Sequence, residues 1–159
     1  MTDRKPGIVL LAVIILIAGC SAMTTIVHDV ERVAQGQDAV DGRFPEDGGV
    51  ITDTVTGSEW CVGPDSDTDW MTANLWATNL DGEGWKMPSK EDLLGLHDAG
   101  ISWNYFGPFY TEGQAVWSDS TSPHGANAWL YDFMIETGTM ANTAESSGNR
   151  AFAVRKADR

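Results

Sequence analysis

The sequence predicts an α+β fold, and three observations carry that prediction. Two short segments, starting near Trp70 and after Ser89, have helical spacing with capping residues at their starts. Several short β-prone runs are spread over the rest of the chain. Long loops, one of them strongly aromatic, separate these elements, and the combination indicates an α+β domain.

The chain opens with a basic start (Arg4, Lys5), an apolar run from Ile8 to Ile17, and then Ala18-Gly19-Cys20. This order is that of a secretory signal. The Cys directly after small residues resembles the lipobox of bacterial lipoproteins, which implies acylation of the Cys20 thiol and cleavage just before it. The same resemblance implies, through Ser21 after that Cys, outer-membrane rather than inner-membrane sorting in a two-membrane bacterium. The alternative is an uncleaved transmembrane helix: Gly7 to Met23 is 17 residues without a charge, at the short limit for crossing ~30 Å of hydrocarbon. The expected layout is a signal peptide at 1–19, a lipidated tether at 20–41 and a folded domain at 42–159. A short helix near Thr25–Ala34 fits the tether, with Ile26, Val30 and Val33 on one side.

In the domain, Val50-Ile51-Thr52 and Trp60-Cys61-Val62 predict a hairpin, with Thr56-Gly57 at a tight turn. Thr68 or Asp69 caps a helix from Trp70, with Trp70, Ala73, Ala77 and Leu80 on one face and Gly82 and Gly84 ending it. Trp85-Lys86-Met87-Pro88 is extended, because a residue before Pro disfavours helix. Ser89 caps a second helix, with Glu91 and Asp92 in its first turn, Leu93, Leu94 and Leu96 on its buried side and Gly100 near its stop. Later β-prone runs are Ala115-Val116-Trp117, Ala128–Ile135, a return around Gly138–Met140, and Ala151-Phe152-Ala153-Val154.

The 159-residue chain carries a net charge of −13. Cleavage before Cys20 removes two basic residues and one acidic one, leaving 140 residues at −14. Such a surface argues against nucleic acid and other polyanions, because the basic residues are scattered and only Arg150, Arg155, Lys156 and Arg159 are loosely grouped. With Cys20 acylated, Cys61 has no internal partner and reads as a small buried side chain in a strand. Seven Trp supply core area to a domain with few regular elements.

Four segments, in order, resemble the DUF1566 family, also called the Lcl C-terminal domain. They are Arg43-Phe44 with the run Asp47–Trp60, the run Gly82–Leu96, Val116–Ser120, and Phe152–Lys156. The likeness spans about residues 42–156. It implies a C-type-lectin-like fold, also similar to the formylglycine-generating-enzyme group. Two helices would flank a twisted, mostly antiparallel sheet whose N- and C-terminal strands pair, with Trp117 and Phe152 in the core. The chain departs from the pattern at Ser58-Glu59, and at Ala77 and Ala153, which sit near the places of the family's cysteine pair. The sulfated-glycan adhesion of some members conflicts with a charge of −14.

Among candidate sites, Asp65-Ser66-Asp67-Thr68-Asp69 invites a calcium reading, but Trp70 and Trp76 stand where an EF-hand needs Gly and Glu. An irregular calcium site and a solvated acidic loop capping a helix both remain open. His28, His97 and His124 are isolated, so no zinc site is predicted. Ser118, Ser120 and Ser122 near His124 lack the motif of a nucleophile and read as loop serines. The expected ligand-binding residues are Trp103, Asn104, Tyr105, Phe109 and Tyr110 of the aromatic loop, with Glu112 as a further hydrogen-bonding side chain. The alternative is that these rings fill the space under the loop. The resulting expectation is a non-catalytic, extracytoplasmic binding module for a glycan or envelope protein. It carries no metal or cofactor besides the lipid on Cys20. The alternative is an accessory subunit of an envelope assembly.

Overall fold

The computed structural model describes residues 39–102, 105–113 and 115–157. The Cys20 lipobox, the signal at 1–19, the 25–34 helix and His28 lie outside the described residues, as do Trp103 and Asn104. The described part is α+β, with eight strands in two four-stranded sheets rather than the one sheet expected. Among the described residues, no helix is long and apolar enough to cross a membrane. Residues 39–43 are helical and Val40 is already buried, so the packed body includes residues before 42.

The first sheet has the order β1 (Glu46–Asp47), β2 (Val50–Asp53), β3 (Ser58–Val62), β8 (Phe152–Lys156), all antiparallel. The predicted hairpin is β2–β3. Asp53 closes its turn by accepting from the Val55 N–H at 3.0 Å and the Thr56 hydroxyl at 2.7 Å. Gly57 completes the turn at φ 68°, a left-handed conformation that disfavours a side chain. The final strand pairs with β3 over five residues, while the first strand, β1, lies at the opposite edge of the sheet, so the expected pairing of first and last strands is replaced by one between the third strand and the last.

The second sheet has the order β6 (Thr137–Asn142), β5 (Asn127–Asp132), β4 (Ala115–Thr121), β7 (Asn149–Arg150). Only the two-residue β4–β7 pairing is parallel. The Ala128–Ile135 run stops at Asp132, whose carboxylate accepts from the Met134 and Ile135 N–H groups and turns the chain. Ser118 and Ser120 lie in β4, not in a loop. Ser118 is fully buried, and its hydroxyl donates to the Trp129 carbonyl.

Helix α1 (Trp70–Thr78) is capped by Asp69, which accepts from the Thr72 N–H at 2.8 Å. It stops at Asn79, before the glycines expected to end it, because the Asn79 backbone and side-chain N–H groups both donate to the Leu75 carbonyl. Helix α2 (Lys90–Asp98) starts with a reciprocal Ser89–Asp92 capping box.

Two apolar clusters explain why the strand sequences are almost continuously apolar. Alternate strand residues face opposite sides. Phe152, Val154, Val116, Trp129 and Tyr131 join one cluster with Leu93 and Leu96 of α2. Ala151, Ala153, Ala115, Trp117, Ala128 and Leu130 join the other with Ala73 and Ala77 of α1. Both faces are therefore covered, one by each helix. Alanines on both sides of the α1 contact let that helix lie close to the strands, and Trp117, Trp85 and Met87 fill the remaining volume. Trp85 and Met87 point inward and Lys86 outward, with Lys86 bridged to Val154.

Candidate functional site

The aromatic loop is anchored before it can display anything. Ser102 and Tyr105 exchange backbone hydrogen bonds at 3.0 and 2.9 Å. Pro108 then sets a 3₁₀ turn over Gly107–Phe109, closed by the Phe109 N–H to the Phe106 carbonyl. Phe109 is fully buried. Its ring meets Phe44 and Trp60 edge-to-face, at 5.2 and 5.8 Å, and Phe152 at 5.8 Å. Phe109 is thus corrected from ligand contact to core anchor, because a ring with no exposed surface cannot touch a ligand. It fixes the backbone on either side of it.

The neighbouring rings are displayed by that anchor. Tyr110 is 67% exposed. Phe106 is half-buried between Phe133 and Tyr110, edge-to-face with both. The Tyr105 hydroxyl donates to the Asp41 carboxylate, tying the loop to the start of the described chain. Together with Pro45, Glu46 and Pro108 these residues line an open groove of about 740 Å³. Asp41, Pro45 and Glu46 are groove residues that sequence reading missed. Their only signal was proximity to Phe44, which packs on Phe109.

Glu112 contributes its backbone: its N–H donates to both Asp65 carboxylate oxygens at 2.8 and 3.0 Å. The 65–69 acidic loop is built around an arginine. Arg150, buried in β7, donates to Asp65 at 2.6 Å and to Asp67 at 2.8 Å. Those bonds hold both carboxyls below the usual range, and the helix-capping bond from the Thr72 N–H does the same for Asp69. The loop's carboxylates are thereby assigned to an internal cation and a cap. Among the described residues, no three His, Cys, Asp or Glu side chains converge in a metal-binding group.

His97 sits 3.6 Å from Asp98 and 3.7 Å from Glu136, beside Tyr131, and His124 lies in the β4–β5 turn. Cys61 is half-buried in β3 with its thiol near the Gly49 carbonyl, and burial pushes that thiol up. Arg155 binds Glu59 at 2.6 Å and lies over the Trp85 ring, and Lys156 donates to Ser58. Both share a shallow cleft with Lys86 and Asp92, apart from Arg150, with which the sequence grouped them.

A scan against protein-family models finds no match, and no curated protein matches the chain.

Proposed function

We propose that this chain is a membrane-tethered, extracytoplasmic binding module without catalytic activity, built on a C-type-lectin-like domain of the DUF1566 kind. The groove beside Tyr110 is its binding face, recognising a carbohydrate or a protein of the bacterial envelope. One observation carries the reading: a fully buried ring, Phe109, rigidly presents an exposed one, Tyr110, at the edge of an open groove. An exposed aromatic held on a fixed backbone binds at low entropic cost. The pairing of β3 with the final strand and the placement of one helix on each face support the lectin-like assignment. Ala77 and Ala153, both fully buried in one cluster, fit the positions where the family's cysteine pair is replaced. The lipobox at Cys20 supplies the anchor. A glycan array and an envelope pull-down test the reading. Signals lost on Tyr110→Ala support it; a blank wild type, or signals that Tyr110→Ala leaves unchanged, overturn it. Intact mass of native material tests the anchor, which requires an acylated Cys20 terminus.

The edge of the second sheet favours the accessory-subunit reading as an alternative. β6 pairs with β5 over six residues without interruption, bears no charged residue or proline, and exposes Met140, while Met134 and Ile135 are exposed in the turn that leads into it. Such an edge is open to a partner strand. Gentle membrane extraction and sizing separates the readings: one stoichiometric partner supports the subunit, a small monodisperse species the free module.

A further inference from the structure

We infer that the groove's ligand is cationic: a Lys- or Arg-bearing extended segment of an envelope protein. This rests on the reading of the groove as the binding face and names the class of ligand it takes. Two carboxylates, Asp41 and Glu46, line the groove together with the rings of Tyr105, Phe106 and Tyr110, and among the described residues no cationic side chain lines it. Tyr105 occupies part of Asp41. Glu46 lies on the exposed strand β1, and no described residue pairs its carboxylate. Arg43, the nearest cation in sequence, is turned away to Asp53 at 2.8 and 2.9 Å. A positive group entering here meets aromatic faces and an uncompensated negative charge, on a chain whose net charge is −13. A single ammonium would leave most of about 740 Å³ empty, and the groove is open rather than a cage. Pro45 and Pro108 add flat walls suited to an extended backbone.

The test is a titration of the full chain in neutral detergent with a capped tetralysine peptide. Its fully acetylated twin and a neutral oligosaccharide serve as comparisons. Salt is held at about 150 mM, so that attraction by distant charges is screened within roughly 8 Å. Tetralysine should bind, and the acetylated peptide about tenfold more weakly. Tyr110→Ser and Glu46→Gln should each weaken binding roughly three- to tenfold, while Glu136→Gln and Glu145→Gln, outside the groove, should change it less than about twofold. All four positions are exposed, and unchanged circular dichroism checks that the fold survives. Equal weakening by all four variants, equal binding of the acetylated peptide, tighter binding of the oligosaccharide or no binding of tetralysine overturns the cationic assignment. If Tyr110→Ala still abolishes the envelope pull-down or array signal in that event, the groove stands as the binding face and only the ligand class falls.

Discussion

Arg150 and Asp65, 85 residues apart in sequence, meet at 2.6 Å and close the acidic loop onto the second sheet. Arg150 is buried and Asp65 half-exposed, so the carboxylate reaches in to meet the cation. The same carboxylate holds the Glu112 backbone, so this one pair joins the loop before α1, the segment before β4, and β7.

Arg150→Met, which keeps the buried stem and removes both charge-assisted bonds, should therefore destabilise the fold by about 1–3 kcal/mol. Asp67→Asn, at an exposed position, should shift the melting temperature far less. Thermal and urea unfolding of the two variants checks the contrast.

Acid should weaken the molecule in a defined window. Burial pushes the Asp53 carboxyl up, but bonds from Arg43, the Thr56 hydroxyl and the Val55 N–H outweigh it and hold the group at about 2. A lowered folded-state value adds stability that is present above the unfolded value of ~3.9. That stability is lost as pH falls through the folded value. Asp65, Asp67 and Asp69 act with the same sign. Stability measured by urea unfolding should be flat above about pH 5 and fall between about pH 4 and 2. Asp53→Asn should flatten that fall and cost about 1–2 kcal/mol at neutral pH, discounted for the quarter-exposed Arg43.

Gly138 is required by a neighbour rather than by its own backbone. A Cβ there would come within 1.9 Å of the buried Trp129 ring, which sits beneath Lys90. Gly138→Ala should destabilise by about 1–3 kcal/mol and alter the near-ultraviolet signal of Trp129, while Gly42→Ala, with nothing within 4 Å of its Cβ and no left-handed backbone, should leave that signal unchanged.

Cys61 should be slow to react. Burial raises its thiol, and the thiolate is the reactive form. Alkylation followed by mass should proceed at pH 8 in denaturant and lag well behind in native protein; equal rates would show a more open β3 than the structure has.

What could be read from sequence was local. The Ser89–Asp92 box, the Asp69 cap, the 50–62 hairpin and the inward Trp85 and Met87 each depend on residues within a few positions of one another. Misreadings came where distant residues decide. The two-residue strands β1 and β7 carry no periodic signal, and β7 exists through a parallel pairing with β4. The split into two sheets follows from strand order, which composition does not encode. Half of the groove comes from residues 41–46 and half from 105–110, joined by the Tyr105–Asp41 bond across 64 positions. Phe109 and Tyr110 are adjacent aromatics with opposite fates, and only their packing separates anchor from displayed ring.

The most direct measurement is photo-crosslinking in living cells from a photoreactive residue at position 110, with positions 55 and 75 as exposed controls. The account predicts one discrete adduct from position 110 that neither control forms. No adduct from 110, or the same adducts from all three positions, would contradict it.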